Sequence, residues 1–368
     1  MSEFLLAAGG TGGHMVPAHA VARELERRGH HVTLVTDSRG AKIPGLFTGN
    51  NRHIIEAASI GSNPLKWPGA LWKIQAGRRQ AGAIIRAVQP AAVVGFGGYP
   101  VLPAMAAALR AKLPTLICEQ NAVLGRVNRL IARKVDMLAA SFPDTERVPP
   151  MKAVVVTGNP VRANVAALSD RPFPDINEFC PIRLLVLGGS LGASVLSDVV
   201  PRGLALLPQA LKERLQVLQQ VREADFRGVC QAYEDAGIPA EVSTYVEDVP
   251  GALARTHLFI GRSGASTVSE LTAAGRPAIL VPLPIATDDH QAANTRELVQ
   301  AGGAVMIRQP AFTPEGLARQ VEIMLERPDT IINAAARARS VGRPDATARV
   351  ADLAERLAGL SPPNQEYS

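Results

Sequence analysis

The chain has 368 residues, of which 47% are hydrophobic and only 4% aromatic, and its formal net charge is +6. This length exceeds one ordinary core and fits two domains, and the aliphatic composition suits buried parallel strands covered by helices. No stretch reaches the ~18 apolar residues of a membrane span, and the N-terminal sequence lacks the segments of a signal peptide. The three scattered cysteines indicate a reduced cytosolic chain without structural disulfides.

Short apolar runs alternate with amphipathic stretches along the chain. The first run, Phe4–Ala8, is followed by a glycine-rich turn and a helical pattern over Ala18–Arg28. Strands that alternate with helices predict βαβ units and a parallel sheet. The other predicted strands are His31–Thr36, Ala91–Gly95, Thr115–Cys118, Met137–Ala140, Val154–Thr157, Arg183–Leu187, Leu215–Leu218, Leu258–Ile260 and Ala278–Val281. The last helical pattern covers Pro344–Leu360.

The pattern restarts in the middle of the chain. The N-terminal FLLAAGGTGGH is echoed by IRLLVLGGSLGA at Ile182–Ala193, and a proline-rich tract lies between them. We therefore predict an α/β chain of two tandem Rossmann-like domains, with boundaries at 1–160 and 161–340. The first 160 residues hold 19 Lys and Arg against 9 Asp and Glu, and the remainder holds 20 against 24. A basic first half attracts phosphates, anionic lipid or nucleic acid, although a solvated surface bias explains it equally well.

Glycine-rich turns follow three predicted strands, at Gly9–Gly13, Gly95–Gly98 and Gly188–Gly192. Such turns let a phosphate approach the backbone N–H groups of the following helix, and together they favour phosphate or sugar-phosphate binding over plain turn chemistry. His14 ends the first turn, where an imidazole suits a general base near neutral pH. The alternative is a histidine that caps the helix or orients a neighbour. His257 and His290 are weaker candidates for the same role.

A nicotinamide dehydrogenase is the obvious rival, because Asp37 ends the second strand where a ribose-binding acid belongs. However, Gly9–His14 reads GGTGGH and does not fit G-x-G-x-x-G. The turn at Gly188 misses that pattern too, and the chain has no Gly-Lys-Ser/Thr for a Walker A loop. Neither standard nucleotide motif is therefore present.

The segment Gly261–Glu270 follows the apolar strand of the second half with small hydroxyls and open backbone. Glu270 lies one turn into the next helix, where a carboxylate can accept from both hydroxyls of a ribose. A Ser/Thr-rich helix cap with Glu on the exposed face is the alternative. Asn121 can bind a sugar hydroxyl or shape a turn, and Arg162 can pair with a diphosphate or form an interdomain salt bridge.

Both tryptophans lie in one basic amphipathic segment, which is typical of a membrane-surface contact or of a core-packing helix. Its candidate contact residues are Trp67, Leu71, Trp72, Lys73, Ile74, Arg78 and Arg79. No metal constellation appears, since the histidines are not at ligand spacing and there is no Cys-x-x-Cys. Asp288 and Asp289 form a carboxylate pair, but a helix cap explains them.

Seven short motifs occur in the order and approximate spacing of one family. They are GGTGGH at 9–14, GFGGYP at 95–100, EQN at 119–121, GNPVR at 158–162, GGSLGA at 188–193, SGASTVSE at 263–270 and DHQAAN at 289–294. The ordered set resembles the MurG-type undecaprenyldiphospho-muramoylpentapeptide N-acetylglucosaminyltransferases from the first strand to the last helix.

The resemblance implies a GT-B fold, in which two Rossmann-like domains with parallel sheets face each other across a cleft. It implies an inverting transfer of N-acetylglucosamine from UDP-GlcNAc to the MurNAc C4 hydroxyl of lipid I, which gives lipid II for peptidoglycan synthesis. No cofactor, metal or nucleic acid is implied. The N-terminal domain, which helix 344–360 joins, would meet acceptor and membrane at the cytoplasmic face of the inner membrane as a peripheral protein.

The family's site residues carry over onto matching positions of this sequence. The donor contacts implied are Thr11, Gly12, Gly13, Asn121, Arg162, Ser190, Val246, Ala265, Ser266, Thr267, Val268, Ser269, Glu270 and Gln291. Val246 would read uracil through its backbone, Glu270 would hold the ribose, and Gln291 would contact N-acetylglucosamine. Cys118 stands where the family commonly has His, which would remove one polar group from the cleft.

Three other functions remain open at the level of sequence. They are another GT-B transferase acting on a glycolipid or natural product, a UDP-GlcNAc epimerase, and a peripheral nucleotide-sugar-binding scaffold without catalysis.

Overall fold

The computed structural model describes residues 1–43, 45–47, 51–58, 67–189 and 192–360. The chain divides into two compact units. The first comprises Met1–Arg162 and the chain from Pro344 onward, and the second comprises Ala163–Arg343. Each unit has one all-parallel sheet with helices on its faces. The predicted α/β class with two Rossmann-like sheets is therefore confirmed.

The first sheet has seven strands in the order β3-β2-β1-β4-β5-β6-β7. The central strand β1 pairs with β2 on one side and β4 on the other, so that Leu6 lies opposite both Leu34 and Val94. The chain thus leaves the sheet centre in both directions, which creates a topological switch point between β1 and β4. The strands are β1 (Glu3–Ala7), β2 (His31–Thr36), β3 (Arg52–Ile54), β4 (Ala92–Gly95), β5 (Thr115–Glu119), β6 (Met137–Ala140) and β7 (Val154–Val156).

Helices cover both faces of this sheet because its strands are apolar on both sides. Phe4 and Leu6 point into one core layer with Met15 of the first helix, and Leu5 points into the other with Met105. This alternation follows from the two-residue period of a strand. The helices are α1 (Gly12–Arg27), α2 (Trp67–Val88), α3 (Val101–Arg110) and α4 (Arg126–Ile131), with a short 3₁₀ turn at Gly40–Lys42.

The last helix of the chain packs on the first unit. Val350 and Leu353 of this helix (Ala346–Leu357) lie in the same core layer as Phe4. Arg28 donates to Asp352 and Glu355 at 2.6 Å each, so ion pairs flank the apolar contact between the last helix and the first unit.

The second sheet has six strands in the order β10-β9-β8-β11-β12-β13, which is the Rossmann order 3-2-1-4-5-6 counted from its own first strand. Its switch point lies between β8 and β11, which are paired neighbours. The strands are β8 (Ile182–Leu187), β9 (Leu215–Gln220), β10 (Ala240–Ser243), β11 (Leu258–Gly261), β12 (Ala278–Leu280) and β13 (Ala304–Met306).

The helices of the second unit are mostly short. They are α5 (Ala163–Ala166), α6 (Ser194–Ala205), α7 (Gln209–Lys212), α8 (Phe226–Ala236), α9 (Val249–Arg255), α10 (Ala265–Ala274), α11 (His290–Ala293), α12 (Arg296–Gln300), α13 (Pro314–Leu325) and α14 (Pro328–Ser340), and the terminal helix is α15. Short 3₁₀ turns lie at Glu223–Asp225, Thr287–Asp289 and Gln309–Ala311. Within the described ranges, no helix combines the length and apolar character needed to cross a bilayer.

Buried polar side chains of the second unit hold its elements together. Arg276 is fully buried, and its guanidinium donates to the carbonyls of Leu253 and Ala254 at the end of α9, where a cation also complements the helix dipole. Burial lowers the pKa of Arg276 to about 10. His257 accepts from the Arg183 N–H and donates to the Asp175 carbonyl, and burial lowers its pKa. His257 is therefore a structural residue, and its candidacy as the general base is wrong.

Candidate functional site

The first candidate site lies at the switch point of the first sheet, where the loops after β1 and β4 meet. A Cβ atom on Gly98 would lie 2.3 Å from the Gly9 carbonyl oxygen, so only glycine lets the two loops touch. A Cβ on Gly12 would meet no atom of the described residues within 4 Å. Packing therefore requires glycine at position 98 but not at position 12. At position 12 the absence of a side chain leaves the start of α1 open to a ligand.

His14 lies in the first turn of α1 and is half-buried. Its Nδ1 lies 3.1 Å from the Gly9 carbonyl oxygen, which can only accept, so Nδ1 carries the proton of this hydrogen bond. In the neutral imidazole this tautomer places the lone pair on Nε2. The ring lies against Gly97, where an added Cβ would be 2.7 Å from Cδ2. His14 thus has the tautomer and the fixed position that a general base needs.

The neighbouring candidates differ in what holds them. Thr11 is the N-cap residue of α1, yet its hydroxyl makes no capping hydrogen bond and the residue is exposed. Gly12 and Gly13 form the first turn of α1, so their N–H groups belong to the positive end of a 16-residue helix. Thr11, Gly12, Gly13 and His14 therefore share one loop and one helix start.

The carboxylate of Asp37 holds the first glycine loop through hydrogen bonds to backbone N–H groups. Its Oδ1 accepts from the N–H groups of Gly10 at 3.1 Å and Gly40 at 2.8 Å, and its Oδ2 pairs with Arg39. Burial by itself raises the pKa of Asp37, but these hydrogen bonds outweigh it and hold the pKa below its usual range. The carboxylate that marks a ribose site in dehydrogenases is thus used to shape the first glycine loop.

The structure places Asn121 on the loop after β5. Its backbone N–H and its Nδ2 both donate to Oε1 of Glu119, at 3.0 and 3.2 Å. Glu119 is buried, and its other carboxylate oxygen accepts from the Gly125 N–H at 2.7 Å and from Asn128 Nδ2 at 2.9 Å. Sequence analysis did not single out Glu119, which organises the whole loop that presents Asn121. The signal was an acid at the end of a buried strand.

Cys118 corrects an expectation. The residue is 2% exposed and lies in the core layer with Leu116 and Ala139, and burial raises the pKa of its thiol. Side chains alternate along β5, so position 118 faces the core helices and not a binding surface. The exchange of His for Cys at this position therefore changes a core contact rather than removing a polar group from the site.

The second candidate site lies at the switch point of the second sheet. Strand β11 ends at Gly261, and α10 begins at Ala265 with Gly264 as its N-cap residue. Ala265 and Val268 are buried, Ser266, Thr267 and Ser269 are half-buried, and Glu270 is 9% exposed in the second turn. The opposite loop after β8 contains Ser190, which lies outside the described residues.

Two hydrogen bonds bring the two halves of this site together. Ser263 Oγ donates to the Gln291 carbonyl at 2.8 Å, and Asn294 Nδ2 donates to the Ser263 carbonyl at 3.1 Å. The Gln291 side chain accepts from the Leu283 N–H at 3.0 Å through Oε1, which fixes its amide beside the start of α10. SGASTVSE and DHQAAN, which are far apart in the chain, are thus joined by buried hydrogen bonds.

Arg262 is a buried residue of this site that sequence analysis missed. Its guanidinium donates to the carbonyls of Val281 and Pro282 and to Oε1 of Gln309, at 2.7 to 3.1 Å. Burial lowers the pKa of Arg262, whose charge is stabilised by neutral oxygens. Arg262 therefore fixes the loop after β12 against the loop after β11.

The remaining candidates are placed separately. Val246 is half-buried in the loop between β10 and α9. Arg162 is half-buried and ends the N-terminal segment of the first unit, directly before the second unit begins at Ala163. Asp289 pairs with Arg308 at 2.8 Å, and its side chain does not cap α11. Among the described residues, no group of three or more His, Cys, Asp or Glu side chains is placed to hold a metal ion.

An exposed apolar patch lies at the start of α2. Trp67, Leu71 and Trp72 are 43%, 54% and 68% exposed, so they do not serve the core. Lys73 and Arg79 are exposed beside them, and Arg78 is half-buried. Ile74 is half-buried because it lies toward the face of α2 that carries the buried residues Ala70 and Gly77. We call Trp67, Leu71 and Trp72 the tryptophan patch.

Comparison with known proteins identifies the family of the chain. The glycosyltransferase family 28 N-terminal domain matches residues 4–139, and the family 28 C-terminal domain matches residues 183–357. One relative is the UDP-N-acetylglucosamine–N-acetylmuramyl-(pentapeptide) pyrophosphoryl-undecaprenol N-acetylglucosamine transferase of Erythrobacter litoralis. The two sequences are 56% identical over 359 residues, and the alignment covers 97% of this chain and 90% of the relative.

The chain belongs to glycosyltransferase family 28. Among solved structures it is similar to the Acinetobacter baumannii MurG, with 31% identity, a TM-score of 0.77, and coverage of 97% of this chain and 100% of the other. A putative UDP-N-acetylglucosamine 2-epimerase from Listeria monocytogenes matches at 13% identity with a TM-score of 0.70, covering 100% and 99% of the two chains. The second likeness shows a shared fold alone.

Proposed function

We propose that this family 28 enzyme transfers N-acetylglucosamine from UDP-GlcNAc to the C4 hydroxyl of the MurNAc residue of lipid I and so forms lipid II. The observation that supports the donor assignment is the second switch point, where Ser263 before α10 donates to the Gln291 carbonyl and Glu270 lies in the second turn of α10. Nucleotides bind at such switch points, with phosphate at a helix N-terminus. The assignment of the acceptor is supported by the names of the relatives and by their sequence identity to this chain.

In this reaction the acceptor oxygen attacks C1 of the donor sugar as the bond from C1 to the UDP oxygen breaks, which inverts the configuration at C1. His14 Nε2 takes the proton of the acceptor hydroxyl, and UDP leaves with the bonding electron pair. The negative charge of UDP is stabilised by backbone N–H groups at the start of α10, and Arg162 is the proposed cationic contact.

The other donor contacts follow the same proposal. Thr11, Gly12 and Gly13, which share the start of α1 with His14, and Asn121 on the loop after β5 would meet the sugar. Val246 would read uracil through its backbone, Ala265–Glu270 would bind the nucleotide with Glu270 on the ribose, and Gln291 would contact N-acetylglucosamine. Ser190 is retained as a donor contact from the resemblance only.

The test is an assay with labelled UDP-GlcNAc and a lipid I analogue. We expect lipid II and UDP to appear together and only when the acceptor is present. An epimerase would instead convert the sugar without releasing UDP in proportion to acceptor. A scaffold would give no turnover, and another GT-B transferase would leave the lipid I analogue unglycosylated.

Replacement of Glu270 by Ala is expected to weaken UDP binding by about 1–3 kcal/mol, the cost of losing a hydrogen bond to a charged group. Calorimetry with UDP and with 2′,3′-dideoxy-UDP separates ribose recognition from a general disturbance of α10. The wild-type enzyme should prefer UDP, and Glu270→Ala should bind both nucleotides equally weakly. The control is Glu322→Ala, which removes an exposed glutamate of α13 that is not a proposed donor contact. Unchanged UDP affinity in Glu270→Ala would remove Glu270 from the site.

We expect turnover to survive EDTA, because the acidic pair Asp288 and Asp289 lies in a polar loop and Asp289 is engaged by Arg308. Charge on the leaving diphosphate is then stabilised by N–H groups and arginine. The measurement is the initial rate of UDP release before and after chelation. A loss of rate that Mg²⁺ or Mn²⁺ restores would contradict the expectation and would implicate Asp288 and Asp289.

A further inference from the structure

A cavity of about 410 Å³ lies in the first unit, at the carboxyl ends of β2 and β3. Its volume is within the ~300–1,000 Å³ of pockets that hold small ligands. The cavity is lined by the loop after β2, by the segment Ile54–Ala58, by two residues of α2 and by Tyr99. None of the residues that carry its chemistry belongs to the donor assignment above.

The cavity adjoins the first switch point, because Tyr99 in its wall belongs to the loop after β4. Arg39 lies in its wall and pairs with Asp37, which accepts from the Gly10 N–H of the first loop. Tyr99 follows Gly97 by two residues, so their Cα atoms are at most about 7.6 Å apart. Because the His14 ring lies against Gly97, the cavity begins two residues along the loop from the position that the proposed base contacts.

The charges of the cavity are mixed. Arg39 and Lys73 are cationic, and their side chains are about half exposed. Glu56 lies 3.8 Å from Lys73 Nζ and supplies a carboxylate, while the Asp37 carboxylate is already satisfied by backbone N–H groups. A ligand with two phosphate charges would meet Glu56 as well as the cations. A ligand with both carboxylate and ammonium groups finds a partner for each.

The cavity also offers neutral hydrogen-bonding groups and an apolar wall. The Arg39 guanidinium lies over the Tyr99 ring at 5.0 Å, which holds both side chains in place. Gln80 also lines the cavity, and its Oε1 accepts from the Glu56 N–H at 2.7 Å, so the amide N–H₂ group is the end that can donate to a ligand. Ile54 adds apolar surface. Together these side chains can pair with the carboxylate, ammonium and amide groups of a short peptide.

We propose that this cavity binds the peptide stem of the acceptor, with Arg39 and Lys73 on a carboxylate and Glu56 on an ammonium or amide N–H group. The proposal rests on the proposed function. In the acceptor the peptide is joined through a lactyl ether at the ring carbon next to the reacting hydroxyl. The stem therefore starts beside the atom that His14 deprotonates, and five extended residues span about 17 Å, which is enough to enter the cavity.

The experiment compares two water-soluble lipid I analogues with a short prenyl chain. One carries the pentapeptide, and the other ends at the lactyl group as a methyl amide. We expect wild-type enzyme to have a lower KM for the pentapeptide acceptor. Glu56→Gln and Tyr99→Phe should raise that KM about fivefold to tenfold, the scale of a partly screened charged hydrogen bond, and leave the KM of the stem-less acceptor, the KM of UDP-GlcNAc and kcat unchanged. The control Glu26→Gln makes the same change at an exposed glutamate that does not line the cavity.

Each other outcome is decisive. Equal KM values of wild-type enzyme for the two acceptors would overturn the proposal, and so would KM values of the pentapeptide acceptor that the variants leave unchanged. If the variants raise both acceptor KM values equally, the cavity reads the shared sugar or diphosphate and not the stem. If wild-type enzyme glycosylates neither acceptor, the proposed function itself fails, which is distinguishable because UDP release is then absent throughout.

Discussion

Replacement of His14 by Ala is expected to lower kcat by about 10²–10⁴, the usual contribution of general base catalysis, while UDP affinity changes little. An acceptor hydroxyl is a poor nucleophile until its proton is taken. The Nδ1–H of His14 is held by the Gly9 carbonyl, so the tautomer with its lone pair on Nε2 is the one that the loop selects. His14→Ala should therefore also remove the acidic limb of the pH–rate profile.

A structural role for His14 makes a different prediction, because the same ring also links the first loop to Gly97. His14→Asn separates the two roles. Its amide N–H₂ can donate to the Gly9 carbonyl as Nδ1 does, but it has no basic lone pair. If His14 is the base, Asn should be as inactive as Ala; if His14 only holds the loop, Asn should recover most of kcat. Circular dichroism and UDP calorimetry on both variants verify that the enzyme is folded and binds donor.

The sequence predicted the central strands well, because they are continuous apolar runs. Met137–Ala140 and His31–Thr36 have the predicted bounds, and the others differ by one or two residues. The three strands that were missed, β3, β10 and β13, all lie at sheet edges. An edge strand is paired on one side only and is partly exposed, so sequences such as RHI or AEVS carry no apolar run to detect.

The start of α1 shows a second limit of sequence reasoning. The helical pattern predicted a start at Ala18, yet α1 begins at Gly12 because the glycines of the loop also form its first turn. Glycine has low intrinsic helix propensity, so tertiary packing outweighs propensity at this position. His14 is consequently on a helix and not at the end of a free loop, which is what fixes its ring.

The candidate site was predictable where a motif carries its own chemistry and not where a buried residue positions another. SGASTVSE and DHQAAN were recognised as separate motifs, and the structure joins them through Ser263 and Asn294. Glu119 and Arg262 were not recognised, because an acid or a cation next to a strand has the same appearance whether it faces solvent or a network of loop N–H and carbonyl groups. Burial, which sequence does not give, distinguishes the two.

The tryptophan patch leads to the second large effect, on membrane binding. Two tryptophans and a leucine at 43–68% exposure leave apolar surface in water that the headgroup region of a bilayer would bury. Lys73, Arg78 and Arg79 lie on the same helix, and each basic residue near an anionic surface contributes about 1 kcal/mol. We propose that the first unit binds the cytoplasmic face of the plasma membrane peripherally through this part of α2.

Replacement of Lys73, Arg78 and Arg79 together by Glu is expected to weaken binding to anionic vesicles by about 3 kcal/mol or more, roughly a 100-fold change in the partition constant, and to leave UDP affinity intact.

The matched control reverses three exposed arginines of the second unit, Arg227, Arg319 and Arg327, so that the net charge of the two variants is the same. Co-sedimentation at low and at high salt measures the effect, and added salt should reduce binding of the wild-type enzyme. Trp72→Ala tests the apolar contribution separately, since its loss should persist at high salt. If the Lys73, Arg78 and Arg79 variant sediments with anionic vesicles as well as the control does, the α2 surface is not the membrane contact, and the basic charge of the first unit acts elsewhere.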